Sequence, residues 1–410
     1  MALLLILAFF LISTITCFLL YRNIINPPVI LSFVWFIVFL FYTFSPFADF
    51  NFSHYYLIFV FGHFLFIVGF MLISKPLRKN KVIGIKKNNV NYYININSFK
   101  IIILIEFVIL LLALFNIRKI LSTNFINNWW FSLKYAKNMQ YYDNGILFGY
   151  AVIFSFVLTY ILFALYLNKK NTTDIELKKI LYIQFVIAGI YAILSLGRTF
   201  IFLLFIPLFF IYIIYKSKNT FQTIRVMVIF FGGLLLIFFI INSLKNVQAT
   251  SGMMDSFYLY VSGSIKAFII WADFEENYMN GANTFRFVFS VLNSIGFDME
   301  SGKLIEDFIW LDSSHTTNVY TIYKWYYSDF GLFYALLIQF LLGMFHGLLY
   351  NNLFKKGTLT AVVLLSISFY PLIMQFFQDQ YVALTSTWIQ VLFWISLIFK
   401  SGFFIVKKKK

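Results

Sequence analysis

Apolar residues run along this chain in long blocks, and polar residues fall almost entirely between them. A helix needs roughly 20 apolar residues to cross a bilayer. Eleven blocks approach that length: 2–21, 29–48, 55–74, 101–117, 146–167, 180–196, 199–215, 226–242, 330–350, 358–376 and 382–399. The pattern predicts an all-α polytopic membrane protein of about 11 transmembrane helices, forming a single membrane domain over residues 1–410. Pro207 lies inside the seventh block and predicts a kink there. No Ala-x-Ala-like site follows the first block, so it reads as a span and not as a cleaved signal peptide.

The blocks are interrupted once at length. Residues 243–329 contain no comparable apolar run and carry acids and bases of both signs. Within them, 256–272 and 284–295 are amphipathic enough to predict surface or re-entrant helices at the bilayer boundary. They flank an acid-rich turn at 273–283. Such helices would enclose a partly dry cavity, where non-helical backbone is tolerated at membrane depth. A smaller loop, 118–145, is aromatic, with Trp129, Trp130, Tyr135, Tyr141 and Tyr142. It reads as an interfacial belt or as a surface for stacking sugar rings.

Charge gives the orientation. Alternate connections, at residues 22, 75–100, 169–179, 216–225, 355–356 and 400–410, hold 22 of the 32 Lys and Arg. The positive-inside rule puts these in the cytoplasm. The N-terminus and the loops 118–145 and 243–329 are then external, and the C-terminus is cytoplasmic. The net charge of +16 is therefore a topology signal beside an anionic inner leaflet. Nucleic acid is not implied, because the bases are scattered over separate loops and a short tail.

Composition agrees: 61% hydrophobic and 12% charged residues exclude a soluble domain. One cysteine, Cys17, allows no internal disulfide. His54, His63, His315 and His346 form no spaced ligand set, so neither a metal nor another cofactor is expected.

Three charges stand in costly places. Arg198 occupies a turn, Ser195-Leu196-Gly197-Arg198-Thr199, between two spans. It either snorkels to the headgroups or clamps phosphate through its two-pronged guanidinium, with Gly197 allowing close backbone approach. Arg286 lies among Phe285, Phe287, Val288 and Phe289 and needs either a ligand or a loop acid as partner. Glu106, near Lys100, reads as a snorkelling or paired carboxylate, or alternatively as a proton-relay group.

Four short motifs follow in order: Tyr258 to Gly263; Gly281-Ala282-Asn283-Thr284-Phe285; Thr317-Asn318-Val319-Tyr320-Thr321; and Asp329-Phe330-Gly331. A Gly197-Arg198 turn precedes them, and a glycine-bearing span (Gly343, Gly347) follows. Over residues 194–350 this order resembles the oligosaccharide repeat unit polymerases, the Wzy-type O-antigen polymerases. The N-terminal half matches only in hydropathy and topology.

The resemblance implies a GT-C-like glycosyltransferase on the outer face of a bacterial cytoplasmic (inner) membrane, without metal. Its substrate would be a glycan on undecaprenyl pyrophosphate, transferred to a new lipid-linked unit to build O-antigen, capsule or exopolysaccharide. A chain-length regulator is a possible protein partner. A departing pyrophosphate needs cations, which nominates Arg198, Arg286 and Lys245. The acceptor hydroxyl needs a base: Asp329, Glu275, Glu276, His315 or Asp273. Asn318, Tyr320 and Asn283 would position sugar hydroxyls. Asp329 reads equally as the N-cap of the span after it, and His315 as an exposed loop histidine without a role. Two other functions compete, of which only the first shares the layout. One is an O-antigen ligase, which would rely on a loop histidine as well as arginine. The other is a lipid-linked oligosaccharide flippase, which would need charges inside its spans.

Overall fold

A computed structural model describes residues 2–50, 53–74, 91–123, 132–133, 145–168, 175–217, 219–245, 253–274, 278–303, 306–400 and 405–408. The described residues are mostly helical. In order come α1 (Ala2–Tyr21), α2 (Pro27–Phe44), α3 (Tyr56–Ile73), α4 (Ile96–Thr123), α5 (Gly145–Asn168), α6 (Ile175–Leu194), α7 (Arg198–Lys216) and α8 (Thr220–Lys245). Then follow α9 (Met253–Phe274), α10 (Arg286–Ser294), α11 (Ile322–Lys356), α12 (Leu359–Ile373) and α13 (Thr385–Lys400). Among the described residues, nine helices are long and apolar enough to cross a membrane: α1 to α7, α11 and α12, the last with the 3-10 turn that extends it to Phe376. The protein is a multi-pass membrane protein of all-α class. The predicted blocks at 226–242 and 382–399 fall on α8 and on the 16-residue α13.

The short predicted blocks became longer helices. The block at 101–117 lies inside the 28-residue α4, because Asn97, Lys100, Arg118 and Lys119 extend the helix past its apolar centre. No proline or glycine stops it at either point. Pro207 lies within α7 without ending it.

The tightest helix pair is α3 with α11. A Cβ at Gly69 would lie 2.1 Å from the Phe340 carbonyl oxygen, and one at Gly343 would lie 2.1 Å from the Phe66 carbonyl oxygen. Each glycine thus admits the other helix's backbone. Close approach by small residues is how helices associate where lipid supplies no hydrophobic drive. Tyr21, Phe70 and Tyr350 close one end of this contact, and Trp35, Phe59 and Tyr323 the other.

Among the described residues there are also two small ribbons. β1 (Asn91–Ile94) pairs antiparallel with β4 (Ile405–Lys408), with Asn91 opposite Lys408. The lysine-rich C-terminus is therefore tied to the segment that opens α4. β2 (Ile309–Trp310) pairs with β3 (Thr316–Thr317) in a hairpin.

Of the two predicted surface or re-entrant helices, α10 has no buried residue. Its apolar side shows Phe285, Val288, Val291 and Ile295 to the surroundings, as an interfacial helix should. The segment 256–272 departs from the expectation. It forms α9, and Ser262, Ser264, Ile265, Ala267, Phe268 and Ile269 are buried. Small residues at 262–264 let it pack inward, against α2 and the 3-10 turn Met374–Phe376.

Candidate functional site

Helix α9 organises the site. Tyr260 lies under the Arg198 guanidinium, whose Cζ is 4.1 Å from the ring centroid. One turn on, Gly263 fits beside Leu311 of the hairpin. The Ser264 hydroxyl donates to the Phe376 carbonyl at 2.5 Å. Lys266 pairs with Asp49 at 2.8 Å. Trp271 lies 5.4 Å from the Lys324 ammonium. Residues 260–264, little more than one turn of the helix, thus draw together the α6–α7 turn, the hairpin and the 3-10 turn that extends α12.

Arg198 is the first residue of α7, with Gly197 as its N-cap. Gly197 is extended (φ −105°), whereas the left-handed residue of the turn is Leu196 (φ 55°). A buried leucine in this region is strained and fixes where α7 begins.

Arg286 opens α10 and is half-buried. Its Nη2 donates to the Ala383 carbonyl at 3.1 Å, while Nη1 is buried without a hydrogen bond. Burial pushes the guanidinium below the ordinary arginine range, and the Asp379 carboxylate works against that. Asp379 is the residue that sequence reasoning missed. It is buried and accepts four hydrogen bonds: from Tyr326 Oη (3.0 Å), Tyr381 N (3.0 Å), Val382 N (3.0 Å) and Ala383 N (2.7 Å). Burial pushes its carboxyl up, and these donors pull it back. Asp379 thereby shapes the loop whose Ala383 carbonyl holds Arg286. In sequence it was a lone acid in a short connection, and nothing marked it as buried.

Asp329 is not the N-cap of a span. It lies inside α11, two residues before a break at Gly331 (φ 76°). A Cβ at Gly331 would meet the Tyr278 hydroxyl at 2.9 Å, so both dihedral and space call for glycine. The Asp329 carboxylate is buried and turned onto the 281–285 motif. Oδ1 accepts from Asn283 N (3.2 Å) and Nδ2 (3.0 Å), and Oδ2 from Thr284 N (2.5 Å). These amides stand just ahead of α10, where a negative charge is favoured. Phe330 packs on Phe285, with ring centroids 6.1 Å apart. Two of the four sequence motifs therefore interlock. Asn283 is occupied within that lock and also donates to Ser328 Oγ at 2.9 Å.

His315 closes the β2–β3 hairpin. Its Nδ1 lies 2.8 Å from Asp312 Oδ2, and its backbone N–H donates to Asp312 Oδ1 at 2.8 Å. Burial would raise the Asp312 carboxyl. Hydrogen bonds from the Ser314 amide, the His315 ring, the Ser314 hydroxyl and the His315 amide overcome that and hold it at about 2. The ring is only partly exposed and paired with Asp312, not an exposed loop histidine. With Nδ1 engaged by a carboxylate, Nε2 is the nitrogen left for proton transfer.

Tyr320 is buried. Its hydroxyl donates to the Asp307 carbonyl at 3.1 Å, and the Lys324 ammonium covers its ring at 4.0 Å. Lys324 in turn pairs with Glu306. In this arrangement the Tyr320 hydroxyl is engaged and Lys324 covers a face of its ring, so the residue pins the loop to α11. Asn318, half-exposed between the hairpin and α11, retains an accessible side chain. Asp273 lies exposed in the last turn of α9. Glu275 and Glu276 lie outside the described residues, as do Trp129, Trp130, Tyr135, Tyr141 and Tyr142. Lys245 ends α8, and its side chain is outside the described part.

Glu106 does not snorkel. It is 2% exposed, within the contact of α4 with α5 and α6, whereas Lys100 points outward. No ion pair joins the two among the described residues.

Comparison with protein family models, with curated proteins and with solved structures found no match to this chain.

Proposed function

We infer that this protein is a membrane glycosyltransferase that polymerises lipid-linked oligosaccharide repeat units on the outer face of a bacterial cytoplasmic membrane. In this reading the chain crosses eleven times, and the 22 Lys and Arg of the alternate connections argue for an N-terminus and residues 243–329 outside and a C-terminus inside. The observation that carries this reading is the gathering of opposite chemistries around one turn of α9. Tyr260 holds the Arg198 guanidinium, and Gly263 seats the hairpin bearing the His315–Asp312 pair. A glycosyl transfer from a lipid pyrophosphate needs both.

In the proposed step, a sugar hydroxyl of the incoming unit attacks the anomeric carbon of the growing glycan. The bond from that carbon to the pyrophosphate oxygen breaks, and its electron pair leaves with the undecaprenyl pyrophosphate. The hydroxyl proton passes to His315 Nε2, with Asp312 holding the ring in the useful tautomer. Arg198 and Arg286 offset the charge that develops on the leaving group. The unpartnered Nη1 of Arg286 is a donor available for that purpose. Glu275 and Glu276 stay as alternative bases. Asp329, saturated by three donors, is better suited to holding the α10 turn than to removing a proton.

The His315–Asp312 pair also suits a second reading, an O-antigen ligase, since that reaction too would use a loop histidine with arginine. A deletion strain separates the two. Loss of a polymerase leaves single repeat units attached to the cell surface, whereas loss of a ligase leaves none. Orientation has its own test: a cysteine placed at Ser301 should react with an impermeant reagent in intact spheroplasts. Reaction only after permeabilisation would invert the topology.

A further inference from the structure

Glu106 stands apart from the loop-face site, and the inference drawn from it does not depend on the reading of that site. It lies well inside the span 97–119 of α4. Two helices pack against it there, α5 and α6. The side chains of Ser155 on α5 and Gln184 on α6 lie beside its carboxyl. Neither carboxyl oxygen, however, has a hydrogen bond of good geometry, and both are buried.

Donors explain why. Gln184 Nε2 gives its protons to Ser155, at 2.9 Å to the hydroxyl oxygen and 3.4 Å to the carbonyl. That leaves Gln184 Oε1 as another buried acceptor without a donor. Tyr191, the titratable group that faces Glu106 from α6, donates its hydroxyl to the Glu106 backbone carbonyl at 2.7 Å, not to the carboxyl. Of the other ionisable groups of the adjoining helices, Tyr166 on α5 lies about three turns along the helix from Ser155. Glu176, Lys178, Lys179 and Tyr182 on α6, and Tyr150 on α5, are exposed. Tyr160 on α5 donates to the Leu203 carbonyl. Three buried acceptors, the two Glu106 oxygens and Gln184 Oε1, therefore share one remaining donor, the Ser155 hydroxyl, and no cation pairs with them among the described residues. An unpaired carboxylate is costly in such a place, and one proton removes the conflict.

We propose that Glu106, with Gln184 and Ser155, forms a proton-binding site inside the helix bundle, in which the neutral carboxyl donates to Gln184 Oε1. The ligand is a hydrogen ion. Its release would leave a negative charge among three helices, so proton occupancy governs how α4 packs on α5 and α6.

A membrane-permeant carbodiimide reads this directly. Dicyclohexylcarbodiimide adds a protonated carboxyl across one of its C=N bonds. The acid proton goes to nitrogen, the carboxyl oxygen bonds to carbon, and rearrangement gives a stable N-acylurea with no leaving group. The full-length protein in native membrane vesicles is treated and its peptides are read by mass spectrometry. Glu106 should be labelled near neutral pH, and labelling should fall about tenfold or more as the pH is raised toward about 10. A water-soluble carbodiimide should label the exposed Glu300 but not Glu106. Glu106→Gln, neutral and of similar shape, should fold and lose the label. Gln184→Leu, which deletes the accepting oxygen, should lower the pH at which labelling fades. Absence of Glu106 labelling at every pH while other apolar-site carboxyls react would overturn the proposal. Suppression of labelling by sodium at fixed pH would also overturn it, since the site would then hold a metal cation.

Discussion

Asn283 gives Asp329 two hydrogen bonds at once, from its backbone N–H at 3.2 Å and from its side-chain amide at 3.0 Å, both to the same carboxylate oxygen. With Thr284 N on the other oxygen, Asp329 fastens the turn before α10 to the break in α11. Asp329→Asn would set an amide N–H against a backbone N–H. Asp329→Ala would leave three buried donors unsatisfied. Each change should cost about 2 kcal/mol or more of stability, read as a lower melting temperature in detergent. The surviving folded protein should keep its activity per molecule. A variant that melts like the wild type but is inactive would make Asp329 a catalytic base instead.

The glycine contact between α3 and α11 makes a second prediction. Gly343→Ala places a methyl group against the Phe66 carbonyl, so the helices must separate. Destabilisation of about 1–3 kcal/mol is expected, with a larger loss for Gly343→Leu. The paired variant Gly69→Ala with Gly343→Ala should cost less than the sum of the two, because one separation serves both. A fully additive pair would show that the two glycines do not share one contact.

Long apolar runs made the helices legible, since a bilayer forces each run into a helix that satisfies its own backbone. The seam between helices was less legible. Gly343 and Gly347 were visible as small residues, but Gly69, which shares the contact with Gly343, lies 274 positions before it in the chain. Polar residues were misjudged wherever position in the sequence stood in for position in space. Glu106 looked close enough to the end of its span to snorkel, yet α4 extends beyond that end and its face is covered by α5 and α6. Tyr320 was expected to position sugar hydroxyls, but its hydroxyl is engaged by the Asp307 carbonyl and Lys324, one helical turn later, lies over its ring. Asp379 gave no signal, because its role depends on four donors gathered by the loop it shapes.

The His315–Asp312 pair predicts a pH behaviour. Asp312 is held at about 2 in the folded protein, below its value of about 3.9 in an unfolded chain. Its contribution to the hairpin is therefore complete above that unfolded value and disappears only as the pH falls through the folded one. Activity between about pH 5 and pH 8 should show no titration of Asp312. Asp312→Asn should lower kcat about a hundredfold or more by loosening the ring's tautomer, with KM much less affected. His315→Gln should be no more active than the double variant. Additive losses would mean that the two residues act separately.

Arg198 and Arg286 test the leaving-group site. Arg198→Ala and Arg286→Ala should abolish polymer at unchanged protein level. Lysine should rescue neither, because an ammonium lacks both the fork that binds phosphate and the flat face that stacks on Tyr260. Tyr260→Phe should preserve activity, and Tyr260→Ala should mimic Arg198→Ala. Lysine variants with normal polymer would reduce both arginines to topological charges.

The central claim is that this protein itself joins lipid-linked units. The purified protein, reconstituted in liposomes with an undecaprenyl-pyrophosphate-linked repeat unit from its own strain and no other acceptor, tests it most directly. The account predicts a ladder of products spaced by one repeat unit, with undecaprenyl pyrophosphate released in step and no ladder from Arg198→Ala. Unchanged substrate in the presence of folded protein, or movement of the lipid-linked unit across the bilayer without elongation, would contradict it.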